Sequence, residues 1–205
     1  MMEPIGFDGI ASFIAGNQGQ ATKWLAEYFS PQADGGYTGR WFEYFSARSD
    51  SWHLDANDVA AATALSVPLD GRALQSLFER AAEFDAHLAE APGPHATIWD
   101  VDEADLADDA PLSLAYGVLT SVRGISYVTA SKMLACKRPH LVPIRDTVVE
   151  SVLGADREWW APWRRVMLDE ELRDLVERLT PSEVPPHTST LRRIDVILWR
   201  AGKSS

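Results

Sequence analysis

Apolar residues recur at three- and four-residue intervals along most of this 205-residue chain, and this spacing limits the possible folds more than any other feature. Residues 20–30, 71–90, 168–179 and 191–198 each carry such an apolar stripe. No segment sustains the alternation of apolar and polar residues that a half-buried strand requires. The sequence therefore predicts an all-α fold, or one that is nearly so.

The composition is typical of a globular protein, with 46% hydrophobic and 24% charged residues. No run of 18 apolar residues occurs, and the opening residues, MMEPIGFDGI, lack the basic start and apolar stretch of a signal peptide. The single cysteine, Cys136, excludes an internal disulfide and a cysteine-rich zinc site. We therefore expect a soluble protein of the reducing cytoplasm that has no membrane partner.

The charge of the chain is divided unevenly. Residues 1–110 carry five basic and 19 acidic side chains, whereas residues 111–205 carry 14 basic and 11 acidic ones. We therefore expect an acidic helical part over 1–110 and a second part with C-terminal helices over 111–205, sharing one core. Because an acidic surface repels polyanions, an anionic partner should meet the second part. A protein partner would instead use the acidic first part.

Motifs of several enzyme classes are absent from the sequence. It contains no GxxxxGK[ST] or GxGxxG loop for a nucleotide, no HExxH metal site and no GxSxG nucleophile elbow. The five histidines are scattered without the spacing of metal ligands. We therefore predict no cofactor and no bound metal.

Residues 119–134, LTSVRGISYVTASKML, predict two helices joined by a tight turn. Gly124 permits a turn conformation that a Cβ disfavours, and Ala130 lets the second helix approach closely. Such a turn presents backbone N–H groups at a helix N-terminus, where phosphate binds favourably. The candidate phosphate-binding residues are therefore Arg123, Gly124, Ser126, Lys132, Lys137 and Arg138.

This segment resembles the helix-hairpin-helix motif, whose form is apolar-x-x-apolar-x-Gly-apolar-Gly-x-x-x-Ala-x-x-apolar-apolar. It matches every position except the second glycine, which is Ser126 here. The resemblance implies binding to the sugar–phosphate backbone of duplex DNA, without reading of the bases. The interface implied in this way covers residues 119–146.

The sequence after the hairpin is similar to the helix-hairpin-helix DNA glycosylases. Residues 146–149, DTVV, resemble the Asp-Thr-His-Val element of that superfamily, which implies that Asp146 is a catalytic carboxylate for base excision. Val128 replaces the lysine of the strand-cleaving members, so the implied activity is that of a monofunctional N-glycosylase without lyase chemistry. Asp146 also stands where a residue would cap a helix ending at Gly154, and its position does not separate cap from catalyst.

A second aromatic cluster, EWWAPWRR at residues 158–165, leaves two interpretations open. Tryptophans beside arginines can stack on bases, or they can fill the protein core while the arginines reach solvent. Tryptophan is usually largely buried, and we therefore expect core packing here.

The chain as a whole resembles a bacterial domain family of unknown function over residues 35–200, through YTGRWFE, LSVPL, the hairpin, KRPHLVPIRD and DVILWR. The sequence thus predicts an all-α helical bundle that is DNA-glycosylase-like. Its expected function is sequence-independent binding of the DNA backbone; if the protein is also an enzyme, the resemblance implies monofunctional base excision. The alternative is a non-enzymatic protein–protein interaction module that keeps the fold without binding DNA.

Overall fold

The computed structural model describes residues 3–31, 36–155 and 158–204. These residues form twelve α-helices and two short 3-10 helices, at Thr38–Arg40 and Glu103–Leu106, and contain no strand. The all-α prediction is therefore confirmed. In chain order, helices α1 to α12 span Ile10–Gly16, Gln18–Phe29, Trp41–Ser46, Ala56–Ala64, Gly71–Glu79, Ala81–Glu90, Pro111–Ser121, Tyr127–Lys137, Thr147–Leu153, Trp160–Met167, Glu170–Arg178 and Thr190–Ser204.

The helices belong to two compact units. The middle unit is Thr38–Val142 and holds α3 to α8, whereas the terminal unit combines Met1–Tyr37 with Pro143–Ser205 and holds the other six. Within the middle unit, α6 and α7 pack against each other although the charge balance changes sign between them. The charge boundary expected at residue 110 therefore falls inside one packed unit.

Helix α8 is the central helix of the middle unit. Every residue from Thr129 to Lys137 is buried, and both α4 and α7 pack against the helix. A helix surrounded in this way has to satisfy its polar side chains within the protein, because an unpaired buried polar group is costly. Its buried lysines therefore need acceptors within the middle unit.

Helix α12 is the central helix of the terminal unit, where it packs against α2, α9 and α11. All eight residues from Leu191 to Leu198 are buried. Among them, Arg192 pairs with Asp195 at 2.5 Å and also donates a hydrogen bond of 2.7 Å to the Tyr28 hydroxyl. Each unit therefore encloses a helix that carries buried charged side chains, and in α12 two of them pair with each other.

Two of the three tryptophans of segment 158–165 lie in the core of the terminal unit. Trp159 and Trp163 are buried and pack edge-on against each other and against Phe7. The Trp159 Nε1 atom donates a hydrogen bond of 3.1 Å to the Pro143 carbonyl, while Arg165 is exposed. The expected core packing is confirmed for Trp159 and Trp163, whereas Trp160 is half-buried.

Candidate nucleic-acid interface

The predicted turn between two helices is present, because α7 ends at Ser121 and α8 begins at Tyr127. Gly124 has a φ of +94°, a conformation that L side chains rarely adopt. The Ile125 N–H donates to the Val122 carbonyl at 3.0 Å, which closes the turn, and both of these side chains are buried. The conformational role predicted for Gly124 is confirmed.

Ser126 is the N-cap of α8. Its Oγ accepts a hydrogen bond of 3.1 Å from the Thr129 N–H and lies 2.9 Å from the Thr129 hydroxyl. Serine is one of the preferred residues at this position, which explains locally why it stands where the hairpin pattern has glycine. Arg123, Gly124 and Ser126 are all exposed, so this turn is the part of the predicted interface that reaches solvent.

The three cations further along α8 do not face solvent. The Lys132 Nζ donates a hydrogen bond of 3.0 Å to the Leu65 carbonyl, and its side chain is buried. Lys137 and Arg138 are buried as well. Because a phosphate contact needs an accessible cation, this structure does not support the expectation that these three residues bind DNA.

Lys137 binds the first turn of α4 and the segment that precedes this helix in the middle unit. Its ammonium lies 2.6 Å from the Asp58 carboxylate and donates to the Ser49 hydroxyl at 2.8 Å. It also donates to the carbonyls of Asp50 and His53, at 2.7 Å and 2.5 Å. Four acceptors thus surround one buried ammonium, which connects the end of α8 to residues 49–58.

Arg138 donates hydrogen bonds to backbone carbonyls in three separate segments of the middle unit. Its guanidinium donates to Pro92, Ser51 and Leu88 at 2.5, 2.8 and 3.0 Å, and it lies over the ring of Trp52. Burial lowers the pKa of Arg138 to about 10, so the guanidinium stays charged at neutral pH. This charged group therefore stabilises the fold of the middle unit.

Asp146 lies in the terminal unit and caps α9. Its Oδ1 accepts a hydrogen bond of 2.9 Å from the Val148 N–H, and the helix ends at Gly154, which is left-handed with a φ of +59°. Both helix limits match the sequence prediction. The cap is therefore established, whereas the catalytic role of this half-buried carboxylate stays a prediction.

Arg145 precedes Asp146 but is directed to another carboxylate. Its Nε lies 2.8 Å from Glu150 Oε1, and its guanidinium lies 5.1 Å from the centre of the Trp159 ring. Both side chains of the ion pair are mostly buried. This pair holds the residue before the cap against the first turns of α9.

One surface was not singled out from the sequence as a site. Trp41 and Tyr44 on α3 are 46% and 45% exposed although both are large aromatic residues. Their three-residue spacing places them on one face of the helix, which is a signal that the sequence carries. Only the structure shows that this face is not covered within the middle unit.

Neither a metal site nor a membrane span is found in the part of the chain that the structure describes. There, no group of three His, Cys, Asp or Glu side chains is arranged to hold a metal ion. Likewise, no helix among residues 3–31, 36–155 and 158–204 is both long enough and apolar enough to cross a bilayer.

Comparison with known proteins gives one match. Residues 21–202 match a family described as a family of unknown function, DUF6308. No curated protein and no solved structure matches the chain. The match covers almost the whole chain, including both central helices and the turn between α7 and α8.

Proposed function

The chain belongs to the DUF6308 family of unknown function, and we propose that it binds the sugar–phosphate backbone of duplex DNA through the turn between α7 and α8. The observation that carries this function is the exposed turn itself. Gly124 is left-handed there, and the neighbouring Arg123 and Ser126 side chains reach solvent. Such a turn brings a backbone without side-chain bulk close to a phosphate.

The start of α8 supports anion binding at the same place. The first N–H groups of a helix carry partial positive charge and lack partners within the helix. Ser126 satisfies the N–H of Thr129, and the exposed Ser126 and Tyr127 leave this helix end open to solvent. A phosphate oxygen approaching the turn would therefore meet both Arg123 and the positive end of α8.

Two further arginines belong to α5 and its C-cap, near the turn and the end of α7. Arg72 is exposed and precedes Ala73, whose Cβ would lie 3.2 Å from a Cβ added to Gly124. Arg80 donates hydrogen bonds to the Val118 carbonyl and the Ser121 hydroxyl at the end of α7, and it also pairs with Glu83. Because Arg80 is already paired with Glu83, the exposed Arg72 is the one of the two that can add to the positive charge of Arg123.

The proposed interface is smaller than the sequence indicated. Lys132, Lys137 and Arg138 are buried within the middle unit, so the interface keeps Arg123, Gly124 and Ser126. An interface that neutralises only a few phosphates binds weakly and loses affinity as salt is added. Because its contacts are to phosphates, it should not distinguish sequences.

Base excision is a separable part of this proposal and depends on Asp146. The carboxylate sits at the N-terminus of α9, where the Val148 N–H and the helix dipole stabilise negative charge. A charged carboxylate of this kind could stabilise the cationic sugar that forms when a base is released. Binding by the turn does not require this chemistry.

The experiment is a comparison of two arginine variants in fluorescence anisotropy with a labelled duplex at about 50 mM salt. Arg123→Gln should weaken binding roughly ten-fold, because it removes one charged contact to phosphate. Arg178→Gln removes the same charge from an exposed position on α11 and should leave the affinity within about two-fold of wild type. Equal losses in both variants would refute a role for the turn, and no binding by wild type would favour the alternative of a protein-binding module.

A further inference from the structure

An exposed aromatic and cationic surface lies on α3 in the middle unit. It consists of Arg40, Trp41, Tyr44 and Arg48, and it is called the α3 face below. Trp41 and Tyr44 are nearly half exposed, and their ring centres lie 5.9 Å apart with the ring planes perpendicular. Among the exposed aromatic residues, Trp41 and Tyr44 contact each other, and a contiguous exposed apolar patch is typical of an interaction site.

The guanidinium of each arginine lies over one of these rings. The guanidinium of Arg48 lies 3.6 Å from the centre of the Tyr44 ring and is fixed there by a hydrogen bond of 2.8 Å to the Tyr44 carbonyl. The guanidinium of Arg40 lies 4.9 Å from the centre of the Trp41 ring. Cation–π contacts of this kind hold the charged groups beside the rings rather than leaving them to move through solvent.

The local charge of the α3 face contrasts with that of its surroundings. Residues 1–110 hold only five basic side chains, and two of these belong to the α3 face. The only acidic residue from 38 to 48 is Glu43, which is buried. The exposed part of this segment is thus aromatic and positive within a strongly acidic half of the chain.

The opposite side of α3 keeps the helix in place. Phe42 and Glu43 are buried, and α3 packs against α4. Core packing is therefore supplied by residues that do not belong to the α3 face. Replacement of its exposed rings should change the surface without unfolding the unit.

We propose that the α3 face is a stacking site for unpaired bases of single-stranded nucleic acid. Aromatic rings stack on bases irrespective of base identity, and neighbouring arginines attract the phosphates between them. A positive surface with exposed rings complements a polyanion that carries planar groups. A single strand of nucleic acid has both features, whereas an acidic peptide lacks the planar bases. Stacking at α3 goes beyond the duplex binding proposed for the α7–α8 turn and does not rest on it.

The test uses an end-labelled oligothymidylate of about 12 nucleotides at about 50 mM salt, followed by fluorescence anisotropy. Wild type should bind it, and Trp41→Ala should weaken that binding by about 5- to 150-fold, the range of one lost base stack. Arg48→Gln should weaken it as well. The control Phe78→Ala removes an aromatic ring of 43% exposure from α5 and should bind as wild type does.

A second ligand separates stacking from simple charge attraction. An abasic strand of the same length keeps the phosphates and lacks the bases, so wild type should bind it at least five-fold more weakly. Equal affinity for both strands, unchanged affinity of Trp41→Ala, or no binding by wild type would each overturn the proposal. Arg123→Gln should retain single-strand binding and Trp41→Ala should retain duplex binding, so the two sites fail independently.

Discussion

The Lys137 ammonium lies 2.6 Å from the Asp58 carboxylate, and neither side chain has any exposure to solvent. Burial raises the pKa of Asp58 to about 6, even though the charge of Lys137 acts in the opposite direction. The cost of removing this carboxylate from water therefore outweighs its attraction to the ammonium. A lysine that the sequence offered as a phosphate ligand serves instead to neutralise a buried acid.

Lys137→Met should be strongly destabilising at neutral pH because it leaves the Asp58 carboxylate buried without a counter-charge. We expect the free energy of unfolding to fall by about 3–5 kcal/mol in urea denaturation at pH 7.5. Lys23→Met makes the same change at an exposed lysine and should stay within about 0.5 kcal/mol of wild type.

The stability deficit of Lys137→Met should depend on pH, and the direction of that dependence follows from the raised pKa of Asp58. A carboxyl whose folded pKa exceeds its ordinary value contributes most to stability when protonated, and that contribution is lost as the pH rises through the folded pKa. Without the ammonium, the pKa of Asp58 should rise further above about 6. The stability deficit should therefore shrink from pH 7.5 to pH 5. A deficit that is equal at both pH values would contradict the buried pair.

Gly124→Ala should destabilise the protein, because a Cβ is strained at a φ of +94° and would lie 3.2 Å from the Ala73 Cβ. We expect a loss of about 1–3 kcal/mol in thermal or urea unfolding. Gly117→Ala is the matched control, since it lies within α7 with open space around it. Alanine favours a helix by about 1 kcal/mol over glycine, so the control should be neutral or stabilising.

Gly202→Ala should disturb the packing of α12 against α9. An added Cβ would lie 2.6 Å from Val148 Cγ1 and 2.7 Å from Val152 Cγ2. Overpacking of this kind costs about 1–3 kcal/mol, which urea unfolding would measure. Val148→Ala shortens the nearer neighbour and makes room for the added Cβ. The double variant should therefore lose less stability than the two single variants lose in sum. Simple additivity would argue against this close approach.

Asp146 variants separate the helix cap from the proposed catalyst. Asp146→Asn keeps a good N-cap and should unfold close to wild type, whereas Asp146→Ala should lose about 1 kcal/mol. Base release from a duplex that carries damaged bases should disappear in Asp146→Asn, because the negative charge is gone. A variant as active as wild type would leave Asp146 with the capping role alone.

Signals confined to a few neighbouring residues were predicted well from the sequence. Gly124 marked the turn, and Asp146 with Gly154 marked both ends of α9. Asp55 and Asp58, three residues apart, likewise form a capping box at the start of α4. Each of these features depends on local backbone geometry, which the adjacent residues determine.

The burial of the α8 cations was not predictable in this way. Their acceptors come from residues far along the chain, such as Ser49 for Lys137, 88 residues away, and Pro92 for Arg138, 46 residues away. Charged residues are rarely buried unless they are paired, and the pairing arises only when α8 becomes the centre of the middle unit. The candidate DNA interface is therefore limited to the turn between α7 and α8.

The most direct measurement is the binding of wild-type protein to two duplexes of unrelated sequence at about 50 mM and about 200 mM salt. We expect the two dissociation constants to agree within about two-fold at either salt concentration, because phosphate contacts carry no sequence information. An interface that neutralises about two phosphates should lose roughly ten-fold in affinity between the two conditions. No binding at micromolar protein and the lower salt concentration, or an affinity that does not respond to salt, would contradict backbone binding by the α7–α8 turn.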